Sequence, residues 1–101
     1  MIKVTLEKQQ GKIICLEVKG HANSAEHGKD LVCAAVSALV TSCMNALNEK
    51  KAYKFIYDEG HTLVEAIATP NAHDEVVLEV MEIGLKTIAE ENEKFIKIEE
   101  K

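Results

Sequence analysis

The sequence predicts an α+β domain, a mainly antiparallel sheet with two helices packed on it in the order ββαββαβ. Two pairs of short strand-like runs, the first pair alternating with period two and each pair joined by a turn, predict two hairpins. One longer segment with a three-to-four-residue apolar repeat follows each hairpin, and a last short apolar run lies near the C-terminus. No composition shift, low-complexity tract or repeat divides the 101 residues, so residues 1–101 are expected to form one domain.

In the first hairpin Ile2, Val4 and Leu6 alternate with Lys3, Thr5 and Glu7, as in a strand with one buried face. Gln9-Gln10-Gly11-Lys12 reads as the turn. The partner strand, 13–18, should place Ile14, Leu16 and Val18 inward and Cys15 outward. It ends at Gly20-His21, where a glycine lets the chain turn sharply or come close to another backbone, and His21 is thereby anchored on a rigid element. A polar stretch with Asn23, Ser24, Glu26, His27, Gly28 and Lys29 leads to the first helix.

Asp30 is the natural N-cap of that helix, because its carboxylate can accept from backbone N–H groups two or three residues on. From Leu31 to about Asn48 apolar residues fill nearly every position, which predicts a helix enclosed by the fold, with Val32, Val36, Leu39, Cys43 and Leu47 on its main stripe. Lys50 and Lys51 supply cations near its C-terminus, where the helix dipole favours them. A second hairpin pairs 53–57 with 62–68 across Asp58-Glu59-Gly60. Asn71, followed three residues later by Asp74, resembles a capping box at the start of a helix running to about Glu91. Val77, Val80, Met81, Leu85 and Ile88 are its expected buried stripe, with Glu79, Glu82, Lys86 and Glu90 in solvent. Phe95, Ile96 and Ile98 make the short last strand.

Composition narrows the function classes. Hydrophobic residues make up 47% of the chain, and no apolar run approaches the roughly 20 residues of a membrane span. Met1 leads straight into a strand pattern with no signal-peptide layout, so a cytoplasmic location is expected. The net charge is −5 and there is no arginine, which argues against a partner held through phosphates. No direct nucleic-acid binding is expected. Cys15, Cys33 and Cys43 cannot all pair and none stands in a CxxC arrangement, so reduced thiols are expected.

Among these thiols Cys33 stands apart, at the third position of a capped helix. Free N–H groups and the helix dipole there favour a thiolate. By spacing alone it reads equally as a nucleophile or as a small core residue. Cys43 lies mid-helix on the apolar stripe and Cys15 lies in a strand, and neither is assigned a catalytic role. His21, twelve residues before Cys33 across a strand-to-helix connection, is placed to meet it as a base, or else is an ordinary strand-end histidine. His27, within the polar stretch, is the weaker candidate for that base. Asp30 either caps the helix alone or also orients His21. Ser37, one turn after Cys33, either supports the site or bonds back to the Cys33 carbonyl. A zinc site from His21, His27 and Cys33 lacks a fourth ligand and fits no standard finger spacing, so neither metal nor cofactor is expected.

Gly20-His21-Ala22 together with the run Gly28-Lys29-Asp30-Leu31-Val32-Cys33-Ala34-Ala35-Val36-Ser37-Ala38-Leu39 resembles the signature of the ribosomal-processing cysteine protease family, Prp. The similarity extends along the chain, through Gly84 to Ala89 and the last strand. The resemblance implies a homodimeric cysteine endopeptidase that removes the N-terminal extension of a large-subunit ribosomal protein, the one numbered twenty-seven. It maps the nucleophile onto Cys33, the histidine onto His21, and supporting positions onto Gly20, Asp30 and Ser37. Asn23, Ser24, His27 and Gly28 then become the substrate loop, with Asn23 and Ser24 standing where family members often have a glycine and an aromatic. The alternative is a non-catalytic ribosome-assembly protein whose acidic faces bind a basic ribosomal protein. A thiol redox sensor is a third reading.

Overall fold

The computed structural model describes residues 1–21 and 30–101. Its elements are β1 (Ile2–Gln9), β2 (Lys12–Lys19), α1 (Leu31–Ala46), a single 3-10 turn (Lys50–Ala52), β3 (Tyr53–Asp58), β4 (His61–Ala66), α2 (Ala72–Glu91) and β5 (Ile96–Glu100). The order is the predicted ββαββαβ. The strands form one sheet, β3-β4-β2-β1-β5, in which only the β1–β5 pair is parallel. Between β1 and β2, Gln10 and Gly11 have φ of 54° and 77°, the mirror-image turn whose twist matches that of the strands it joins.

One face of the sheet is the core. Register aligns Val4 with Val18, Leu6 with Leu16 and Leu16 with Val64, and all of them are buried against Val36, Val40 and Cys43 of α1 and Leu78, Met81 and Leu85 of α2. Lys3, Glu7, Cys15, Glu17 and Lys19 alternate onto the other face, and none of them is buried. Both helices therefore cover the same side, leaving the ends of the sheet as the places where loops and helix termini meet.

Several expectations are corrected by packing. In β2 the inward residue near the turn is Ile13, not Ile14. Pairing jumps from Glu7↔Cys15 to Lys8↔Ile13, so a bulge at Ile14 reverses the alternation there. The first helix is not enclosed: Leu31 is 81% exposed, and Ala34, Ala35 and Ala38 also face outward. Three of those four are alanines, which count as apolar in a pattern yet expose little surface. Val40 is buried on its inner stripe, whereas Leu39 is half-buried.

In α2 the stripe is displaced by one position at two points. Leu78 is buried and Val80 is 48% exposed, while Glu82 is buried instead of solvated. Lys8 Nζ at 2.9 Å and Lys86 Nζ at 2.7 Å hold the Glu82 carboxylate. Burial alone would raise that carboxyl, but the hydrogen bonds from Lys86 and Lys8 lower it below the ordinary value. At the start of α2, Asn71 accepts from the Asp74 N–H at 2.8 Å as expected, but Asp74 does not close a capping box. Its carboxylate accepts instead from the Asn48 and Glu49 N–H groups, the Tyr53 hydroxyl and His73 Nδ1. The C-terminus of α1 is closed as the sequence suggests, with Lys50 Nζ donating to the carbonyls of Met44 and Asn45.

Candidate active site

Asp30 has extended backbone angles and its Oδ1 accepts from the Cys33 N–H at 3.0 Å, while its own carbonyl accepts from the Ala34 N–H at 3.0 Å. The predicted cap is therefore present. It fixes the first turn of α1 with Cys33 as its third residue, half-buried at the edge of the core. The cap has a chemical consequence. Two of the first-turn N–H groups, those of Cys33 and Ala34, are committed to Asp30.

His21 follows directly on β2, and two glycines govern its position. Gly20 has φ +94°, and a Cβ there would lie 2.4 Å from the Met1 carbonyl oxygen, so no side chain fits between the end of β2 and the start of β1. The Gly20 N–H donates to the Gly60 carbonyl at 2.8 Å, which joins the end of β2 to the β3–β4 turn. Gly60, with φ +74°, lies against the imidazole: a Cβ on it would come 2.9 Å from His21 Nε2. The Lys19↔His61 pairing sets this approach, because the residues just beyond it are Gly20 and Gly60.

His21 and Cys33 line one cavity of about 660 Å³. Gly20, Asp30 and Ser37 line it too, so the five candidate site residues among the described residues border one cavity. Its floor is apolar, formed by Ile2, Val18, Val36 and Val40. The wall facing α1 is the β3–β4 turn, Tyr57 through His61, and Tyr57 Oη is hydrogen-bonded to Thr41 Oγ1 of α1. Sequence reasoning missed this wall. Asp58-Glu59-Gly60 is legible as a turn, but its contact with residue 21 depends on β4 pairing with β2, about 40 residues away in the chain. Asn23, Ser24, His27 and Gly28, the expected substrate loop, lie outside the described residues.

The remaining titratable groups separate by environment. Burial pushes the Cys43 thiol up, and burial with the charges of Glu65, Glu7 and Glu17 pushes up Cys15. Both are held toward the neutral thiol. His61, also on the cavity wall, has Nε2 2.7 Å from Glu17 Oε2. That hydrogen bond, against the effect of burial, lowers the Glu17 carboxyl. Among the described residues no group of three or more His, Cys, Asp or Glu is arranged to hold a metal ion.

A pocket holding a thiol at a capped helix start and an imidazole at a strand end can perform nucleophilic acyl transfer. Comparison with known proteins identifies the family. The family model described as cysteine protease Prp matches residues 1–97. The ribosomal processing cysteine protease Prp of Staphylococcus aureus is 30% identical over 93 residues, covering 88% of each chain. Its Bacillus subtilis namesake is 43% identical over 61 residues, covering 59% of this chain and 54% of its own. The crystal structure of the S. aureus protease with a covalently linked product peptide superposes with a TM-score of 0.90 at 31% identity over the whole of both chains. The same protease with a substrate peptide gives 0.84 at 30% identity, again over all of both.

Proposed function

The chain belongs to the cysteine protease Prp family, and we propose that it is a ribosomal-processing endopeptidase that removes the N-terminal extension of a large-subunit ribosomal protein, the one numbered twenty-seven. The observation that carries this reading is the single cavity lined by both Cys33 and His21. Its volume suits a short peptide segment.

The Cys33 thiolate attacks the scissile carbonyl carbon, and the electron pair of the C=O bond moves to oxygen. Backbone N–H groups at the start of the helix hold the developing negative charge. As the tetrahedral intermediate collapses the C–N bond breaks, and His21 as imidazolium gives its proton to the leaving amine. A thioester remains on Cys33. His21, now neutral, takes a proton from water, whose oxygen attacks the thioester; the carboxylic acid leaves and the thiolate–imidazolium pair is restored.

Gly20 and Asp30 serve in this reading as positioning residues, one for the histidine and one for the helix start that carries Cys33. Ser37, on the cavity wall one turn beyond Cys33, supports the nucleophile's side of the pocket. Residues 1–101 act as one domain, assembled as a homodimer in the cytoplasm. The net charge of −5 with no arginine favours a protein substrate over a nucleic acid. The test is to incubate the protein and its Cys33→Ala form with a peptide spanning the extension junction and read the products by mass. Two fragments from the unmodified protein and none from Cys33→Ala is the expected result. An intact peptide with both overturns the reading.

A further inference from the structure

The β3–β4 turn reaches the catalytic end of the molecule although no residue in it carries chemistry assigned above. Its closest approach is at Gly60. The carbonyl of Gly60 accepts from the Gly20 N–H at 2.8 Å, and the site where a side chain would begin is filled by the His21 ring, 2.9 Å from Nε2 and 3.5 Å from Cε1. Six register pairs from Tyr53↔Ala66 to Asp58↔His61 hold the turn, and β4 is itself paired with β2. The backbone of the turn is therefore fixed from two sides. The ring, by contrast, is the far end of a side chain that rotates about two bonds.

That asymmetry decides what a side chain at position 60 would do. A Cβ at 2.9 Å from a ring nitrogen cannot be accommodated without movement, and the rotatable imidazole gives way before the paired strands do. The fold survives; the ring turns away from where it stands in the cavity. We propose that Gly60 is a positioning residue for His21, the bare backbone of the β3–β4 turn serving as the backstop that sets the imidazole's angle toward Cys33. This rests on the proposed function, in which His21 shuttles the proton.

Gly11 supplies a matched control within the same chain. It has φ +77°, against +74° for Gly60, and a Cβ added to it would meet nothing within 4 Å. Gly11→Ala and Gly60→Ala thus carry the same left-handed backbone strain, but only the second pushes on His21. Gly60→Asn carries the same Cβ with a residue that adopts the left-handed region more readily, so it keeps the test open if the alanine variant is poorly folded.

The experiment measures peptide cleavage and the rate of Cys33 alkylation by iodoacetamide against pH, per folded molecule, in the full chain. Gly60→Ala and Gly60→Asn should lower kcat on the order of tenfold to a hundredfold with KM nearly unchanged, and displace the limb of the pH profile that reports His21, while Gly11→Ala keeps the wild-type profile. In a His21→Ala background, adding Gly60→Ala should leave Cys33 alkylation where His21→Ala alone puts it. If the wild-type chain cleaves and Gly60→Ala matches Gly11→Ala in kcat and pH profile, the positioning role is overturned and the proposed function stands. Failure of both position-60 variants to fold where Gly11→Ala folds also overturns it, since the glycine would then serve the fold and not the histidine. A wild-type chain that does not cleave, with Cys33 alkylation indifferent to His21→Ala, overturns both.

Discussion

The two helices begin with the same local device and use it in opposite ways. At each start an N-cap side chain accepts from the N–H of the third helical residue, Asp30 from Cys33 at 3.0 Å and Asn71 from Asp74 at 2.8 Å. The third residue of α1 is a half-buried thiol on the wall of an open cavity. In α2 it is a fully buried carboxylate, with four donors from the α1–β3 connection, from Tyr53 and from His73. One cap places a thiol on the cavity wall and the other locks three segments together. Both caps bond the same helical position, so the difference comes from what packs beside it: at α1 a cleft bounded by a distant hairpin turn, at α2 backbone N–H groups that only an acceptor can satisfy.

The strongest way to break the comparison is to remove both third residues. Cys33→Ala should abolish peptide cleavage while shifting stability by less than about 1 kcal/mol, since a half-buried thiol contributes little packing. Asp74→Ala should do the reverse, losing about 3 kcal/mol or more in denaturant unfolding because buried donors are left without an acceptor, with cleavage per folded molecule retained. If Asp74→Ala lost activity in the folded protein, or Cys33→Ala unfolded the chain, the division of labour would be wrong.

A pH titration of stability sharpens the same contrast. Burial alone would raise the Asp74 carboxyl, but the hydrogen bonds from the Asn48 N–H, His73, the Glu49 N–H and Tyr53 outweigh it and bring the pKa down to about 2, from the ordinary 3.8. A carboxylate whose pKa is lower folded than unfolded stabilises the fold in its charged form. Its contribution is complete above about pH 4 and is lost as pH falls toward about 2. Asp74→Asn should flatten that part of the stability curve, as read by thermal unfolding across pH 2 to 5. An unchanged slope would show that other carboxylates, Glu82 foremost, dominate acid unfolding.

The smallest effects come from the caps. Asp30→Ala and Asn71→Ala should each cost about 1 kcal/mol of stability. Only Asp30→Ala should also reduce turnover, because its cap fixes the first turn that carries Cys33. Equal turnover in the two variants, corrected for folded fraction, would separate the Asp30 cap from the chemistry.

Much of this was legible in the chain itself, where local rules govern. Alternation marked β1, and Asp30 and Asn71 announced both helix starts, because a cap answers N–H groups only three residues away. Cys33 and His21 were candidates for the same reason: each stands at an element boundary that short-range patterns disclose. Ile14 and Glu82 were misread because their burial depends on partners elsewhere, a bulge opposite Glu7 and Lys8 in one case and Lys8 together with Lys86 in the other. Apolarity counts also overstated how far α1 is covered, since its outer face is largely alanine.

By itself, then, the sequence determined the element order, the two caps and the fold class, and offered Cys33 and His21 as the candidate thiol and imidazole, because those readings rest on periodicity and on hydrogen bonds that span three or four residues. Tertiary structure alone decided that β4 lies beside β2, which brings Gly60 against His21 and closes the cavity opposite Cys33. Strand neighbours are chosen by which faces can be buried together, and that choice is made over the whole chain at once.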